Sequence, residues 1–519
     1  MNTLSRRSLL AAAATVMAVP TTGLGRGIRR LHRDVLDVAV VGGGVSGCYA
    51  AWRLSAGAAG RSVGVFERNE RIGGRLWSVK PKGMTQQVAE LGGMRIANNQ
   101  APLLNLTKLL NLTLEPYPST EPDNFYYLRG IRTRAKDLVC SPEFGYRPEK
   151  KFEGKTNDEL FSYVLQELTG KSDWTRETFT AAKASFTFQG HPLNDFPYEY
   201  VFRQTLGTEA TRFFLETTGY GRPNTNVVQF LEEGAVDLFI KGFKHVQGGY
   251  DLVPKTLAEH ATQQGATFTL DRSLVDLRFD GDLTVLTFVT AGGTTSEVRA
   301  KNVIMTIPDT AYQFIDRSSP LSKPNGMTSL LANIQGVPAT KVYVNFPSQW
   351  WRKLGMTAGR SITDLPMRQC FYLNDPTGRG LTLSPYASGT TAEGFWQPLL
   401  QPMTDHRMSA DTIAGKAVVD QLSEFHGITV PKPSELIYRT FDGDFVRHGW
   451  NMWSPGADVA SIIPRARQPM NGRRVFCCGQ ATAEIQGWVM DTLASAESVL
   501  RTNFNLTRPE WWPETYPAS

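Results

Sequence analysis

Gly42, Gly44 and Gly47 stand between an apolar, largely β-branched run, Val38 to Val41, and the residues Cys48, Ala51, Trp52 and Leu54 at helical spacing. Residues of these types in this order build a strand, a tight turn and a helix that can hold a pyrophosphate. One glycine makes the turn, one lets the backbone approach the phosphates, and one lets the helix pack on the strand. The helix start, with Val45 and Ser46 in its first turn, offers free N–H groups and the positive end of the helix dipole to negative charge. A second short strand, Ser62 to Phe66, ends at Glu67, 20 residues after Gly47. A carboxylate placed there can accept both hydroxyls of a ribose. The chemistry of this stretch is therefore dinucleotide binding.

Beyond Glu67 the chain reads Arg68-Asn-Glu-Arg-Ile-Gly-Gly-Arg75, and here it resembles the flavin-containing amine oxidase superfamily. The resemblance implies an FAD site extended past the ribose acid. Arg68 borders it, Gly73 and Gly74 let the backbone pass the cofactor, and Arg75 meets the phosphate region with a planar charged fork. It also implies that Gly92, Gly93, Met94 and Arg95 run beside the flavin ring and that the backbone of Leu274 touches the adenine. Gly479 and Gln480 are assigned to the ribityl chain, and Gly487, Trp488, Val489 and Thr492 to the final return to the cofactor. The superfamily usually has Ala-Gly-Glu where this chain has Cys478-Gly479-Gln480. The amide can still donate and accept hydrogen bonds, but it carries no charge. No cysteine matches a covalent attachment point, so non-covalent FAD is expected.

The same resemblance places chemistry in front of the ring. Lys341, in Gly336-Val-Pro-Ala-Thr-Lys-Val-Tyr-Val-Asn345, matches a strand lysine linked through water to flavin N5, and on a strand it shares a face with Tyr343 and Asn345. The stretch Thr363-Asp-Leu-Pro-Met-Arg368 is similar to a segment of L-amino acid oxidases, in which a downstream tyrosine binds the substrate carboxylate. Carried over, Tyr372 and Arg95 form a carboxylate clamp and Trp488 walls the substrate channel. The implied protein is an exported, FAD-dependent L-amino acid oxidase using dioxygen. A monoamine or polyamine oxidase and an amino-acid monooxygenase share the fold, and a non-catalytic flavoprotein-fold binding module is the alternative of another class.

The rest of the chain is consistent with an enzyme of this size. It has 519 residues, 41% hydrophobic and 20% charged, which excludes a disordered chain. A net charge of +6 and a pI near 8.9 are too small to argue for nucleic acid. The five cysteines show neither a disulfide framework nor metal spacing. Ser5-Arg6-Arg7-Ser8-Leu9-Leu10, before an apolar run too short to cross a membrane, resembles a twin-arginine export signal. The expected fold is α/β, with a Rossmann-type FAD-binding domain, a mixed-sheet substrate domain and a helical subdomain. Residues 34–97, 243–312 and 465–505 are assigned to the first, 98–130, 230–242 and 313–464 to the second and 131–229 to the third, with 1–33 as leader. The oligomeric state stays open, a homodimer included.

Overall fold

The computed structural model describes residues 29–30, 34–56, 60–221, 224–238, 242–400, 406–441, 446–514 and 516; the export signal expected near the N-terminus lies outside them. The run Leu36–Val41 is the central strand of an eight-stranded sheet. Val63–Phe66 lies parallel on one side of it and the second half of Thr295–Met305 parallel on the other. Thr267–Thr269 extends the parallel part at one edge, and Val475–Cys477 pairs with the end of Thr295–Met305. The first half of that long strand turns instead to the antiparallel hairpin Leu283–Val289 and Ser273–Asp280.

Continuous apolar strands of this kind are stable only with both faces covered. Val38 and Val40 pack against the helices Val45–Ser55, Leu252–Gln263 and Val489–Phe504, while Ala39 and Val41 enter a second core with Leu286, Phe288, Leu330 and Ile462. Cys478 faces the first core and Cys477 the second, as strand alternation requires. All five cysteines are buried and free.

A second eight-stranded sheet runs in the order Arg407–Met408, Glu435–Thr440, Ala339–Phe346, Gly380–Ser388, Gln369–Asn374, Gly359–Thr363, Phe125–Leu128, Ile131–Arg134. One face carries Tyr343, Phe371, Leu383 and Tyr386 towards Met94 and Trp488. The other carries Val342, Val344, Cys370 and Tyr372 towards the helix Ile413–His426. A third region holds the helices Asn157–Thr169, Tyr198–Thr218 and Val227–Glu233 around an aromatic core. Tyr198–Thr218 is two helical segments that meet at a kink, where Gly207, at φ +74°, has non-helical backbone. These three parts give the α/β fold expected from the sequence. No helix among the described residues is long and apolar enough to cross a membrane.

The sheet face away from Trp488 holds a titrating group. His426 is buried, its Nδ1–H donates to the Leu422 carbonyl at 2.7 Å, and its Nε2 lies 2.5 Å from the Tyr372 hydroxyl. Burial pushes its pKa from 6.5 down to about 3, so the fold holds it neutral while the unfolded chain protonates it below about 6.5. Between those values the unfolded state binds more protons, and stability therefore falls as pH is lowered through that window. Unfolding temperatures measured from pH 7 to pH 4 should drop for the wild type and drop less for His426→Gln; equal slopes would remove His426 from the account.

Candidate active site

The turn between Leu36–Val41 and Val45–Ser55 is held in shape by its glycines. Gly42 has φ +110°, and a Cβ at Gly47 would lie 1.9 Å from the Gly42 carbonyl, so the helix can seat on the strand only with glycine there. Thr306, at the end of the neighbouring strand, donates its hydroxyl to the carbonyls of Gly42 (2.9 Å) and Val41 (3.0 Å). Glu67 is fixed as an acceptor. Its Oε2 takes the Gly43 N–H at 2.6 Å and its Oε1 takes Asn69 N–H at 2.8 Å. Arg71 donates to the carbonyls of Gly74 and Leu76, which pins the glycine pair beside the turn.

These residues open onto a cavity of about 790 Å³. Gly42, Gly44, Val45, Ser46, Glu67, Arg68, Gly74, Arg75, Leu274, Gln480, Gly487, Trp488, Val489 and Thr492 all line it, so stretches more than 400 residues apart in the chain meet on one wall. Gly47 lies under the turn, and Gly479 stands behind the wall with its N–H on Ser495 Oγ. The cavity offers bare helix N–H groups at Gly44, whose added Cβ would meet nothing within 4 Å, and an acid, Glu67, beside the same turn. That donor set fits a dinucleotide: anion-binding N–H groups for the pyrophosphate, a carboxylate for the ribose, and the Arg75 guanidinium on the same cavity. Arg75 donates to Gln480 Oε1 at 3.2 Å, so the residue that departs from the superfamily pattern leaves this guanidinium with a neutral partner.

A smaller second cavity joins the first through Arg75, Gly93, Gly449, Trp450, Gly487, Trp488 and Val489. Gly92, Met94, Arg95 and Lys341 line it. A Cβ at Gly92 would fall 1.7 Å from the Arg75 carbonyl, which explains the glycine. Lys341 is only 3% exposed, and its Nζ donates to the carbonyls of Gly92 (2.5 Å) and Glu90 (3.2 Å). Burial lowers its proton affinity and the buried Glu90 carboxylate opposes that. Glu90 itself accepts the Ser78 hydroxyl and the Tyr250 N–H, both at 2.7 Å. Arg95 stacks 4.0 Å from the Phe243 ring, and Phe243 stacks in turn on Trp488. Its Nη2 donates to the Tyr220 hydroxyl at 3.0 Å, and it forms no ion pair among the described residues.

Tyr372 is not brought to this site. It sits on the opposite face of its strand, fully buried, with its hydroxyl 2.8 Å from Ser361 Oγ and against His426. The expected clamp of Arg95 with Tyr372 is corrected on this point. The residue of that strand facing the second cavity side is its neighbour Phe371, because side chains alternate. The tyrosines at the cavity include instead Tyr220 and Tyr386, whose rings meet edge to face at 5.6 Å. Sequence reasoning missed both, along with Thr306, Glu233 and Arg439.

A dinucleotide cradle that opens into an aromatic-walled pocket with a buried lysine and a half-buried arginine defines the class of flavin-dependent oxidoreductases. The model of the flavin containing amine oxidoreductase family matches residues 45–499, and the chain belongs to that family. An L-amino-acid oxidase of Crotalus adamanteus is 24% identical over 478 residues, covering 89% of this chain and 86% of its own. Among solved structures, a putrescine oxidase variant redesigned for cofactor binding superposes with a TM-score of 0.67 at 19% identity, covering 91% of this chain and 99% of its own. Cyclohexylamine oxidase from Brevibacterium oxydans gives 0.65 at 18%, covering 90% and 99%. These two likenesses establish the fold.

Proposed function

We propose that this protein is an exported L-amino acid oxidase that holds FAD without a covalent link. The observation that carries the substrate class is Arg95: a cation walled by Phe243 and bonded to a neutral tyrosine, with no ion pair among the described residues, facing the second cavity. A guanidinium in such a place is costly unless an anion meets it, and a substrate carboxylate is that anion. The similarity to curated L-amino-acid oxidases over most of the chain supports the same reading, and the Ser5–Leu10 motif supports export.

In this reading Arg95 and the Tyr220 hydroxyl hold the carboxylate, and Phe243 with Trp488 excludes water from one side of the substrate. The flavin, when bound, supplies the hydride acceptor and the reaction with dioxygen. Lys341 holds a proton at Nζ, fixed by two carbonyls and turned to the same cavity. The net reaction takes an L-amino acid, dioxygen and water to a 2-oxo acid, ammonia and hydrogen peroxide. A peroxide assay across L- and D-amino acids and simple amines, after the visible spectrum is recorded, tests the assignment; activity confined to amines would move it.

An amine oxidase is the second reading, favoured by the buried Glu233 carboxylate on the same cavity, which suits an ammonium. Lys341→Met should slow flavin reoxidation at least tenfold while reduction by substrate changes little, as expected when a positioned acid–base group is lost from one half-reaction. Stopped-flow traces in which both halves slow equally would make Lys341 a packing residue.

A further inference from the structure

The guanidiniums of Arg71, Arg75 and Arg439 line the larger cavity, and one of them, Arg75, also lines the smaller. Arg71 is tied to the carbonyls of Gly74 and Leu76, and Arg75 to Gln480 and the Gly449 carbonyl. Arg439, from the strand Glu435–Thr440, lines the larger cavity and pairs across the sheet with Lys341, which lines the smaller one. Its Nη1 donates to the Leu91 carbonyl at 3.3 Å, and its guanidinium lies 4.5 Å from the Phe441 ring and 5.6 Å from Trp77. Among the described residues no carboxylate forms an ion pair with it. Burial, and then repulsion from Arg71 and Arg75, pushes its pKa down to about 9.

A cation kept beside two like charges, with no acid of its own, is unfavourable. A packing role does not require it, since a methionine could fill the space between Phe441 and Trp77. The compensating charge must then arrive with the ligand of the cavity. Glu67 and the Gly42 turn mark the adenosine and pyrophosphate end, whereas Arg439 stands beside Lys341 and Leu91, at the end that opens into the substrate pocket. A flavin ring gains charge there: hydride from the substrate carbon delivers two electrons and one proton, leaving the ring with one net negative charge. We propose that Arg439 is the counter-ion of the reduced, anionic flavin ring and raises its reduction potential. The proposal rests on the FAD reading above.

The test compares wild-type holoenzyme with Arg439→Met and Arg439→Lys, reading the flavin midpoint potential, the affinity for oxidised FAD and for ADP, and the unfolding temperature of the apoprotein. Arg439→Met should weaken reduced relative to oxidised FAD at least tenfold, which for a two-electron couple is a fall of about 30 mV. Oxidised FAD and ADP should bind nearly as before, the apoprotein should melt no lower, and Arg439→Lys should keep most of the potential. If Arg439→Met does not retain FAD, Arg439→Gln carries the same measurement. An unchanged potential with weaker binding of both FAD and ADP would make Arg439 a phosphate contact and overturn the proposal. An unchanged potential with an apoprotein of lower melting temperature would make it a packing residue, with the same result. A wild type that binds no flavin would sink the FAD reading itself, a separate outcome.

Discussion

Gly47→Ala should yield a protein that purifies without yellow colour. The added Cβ would lie 1.9 Å from the Gly42 carbonyl and 3.0 Å from Thr306 Oγ1, and the first of these is backbone that cannot swing away. The helix must lift or the turn must open, and either movement carries the N–H groups off the pyrophosphate position. Overpacking of this kind costs about 3 kcal/mol, or roughly 10²-fold in FAD affinity. Gly44→Ala supplies the contrast. Its Cβ meets nothing in the protein, so the apoprotein should melt as the wild type does, yet the methyl group would stand where the phosphates approach. Absorbance near 450 nm per mole of purified protein and the apoprotein melting temperature read the two effects. Full flavin content in Gly47→Ala would show that this turn does not carry the cofactor.

Arg95→Leu should raise KM for L-amino acids by about 10²-fold, corresponding to roughly 3 kcal/mol for lost charge-assisted hydrogen bonds. A carboxylate held equally in ground and transition states appears chiefly in KM, so kcat should change less. Tyr220→Phe should act in the same direction but more weakly, because it removes one hydroxyl beside Arg95. Tyr372→Phe should leave KM alone and lower stability by about 1 kcal/mol, since its hydroxyl serves the buried Ser361 and His426 and not the cavity. Steady-state kinetics on these three variants separate the two tyrosines. A wild type preferring decarboxylated amines, with their turnover intact in Arg95→Leu, would transfer the protein to the amine oxidases.

The cofactor side of this protein was legible because its signals are local. A glycine turn, its strand and its helix are contiguous, and Gly42 by its positive φ and Gly47 by its contact with the Gly42 carbonyl are required by the turn itself. Lys341 was singled out by its family position alone, and its observed partners, the carbonyls of Gly92 and Glu90, come from a distant stretch of the chain. Helix boundaries were less legible, as at Tyr198–Thr218, where Gly207 separates two helical segments at a kink.

The substrate side was settled only by tertiary structure. Tyr372 and Phe371 differ by one position, and strand alternation sends one to His426 and the other to the cavity side, a choice fixed by which sheet face the helix Ile413–His426 covers. Tyr220 follows the end of the kinked helix, Tyr386 lies on the strand beside Lys341, and Arg439 lies on the strand on its other side. No spacing links these three. The chain by itself determined the nucleotide cradle, whose parts are neighbours in sequence; the charge and hydroxyl pattern of the pocket depends on strand order and register, which bring distant residues to one face.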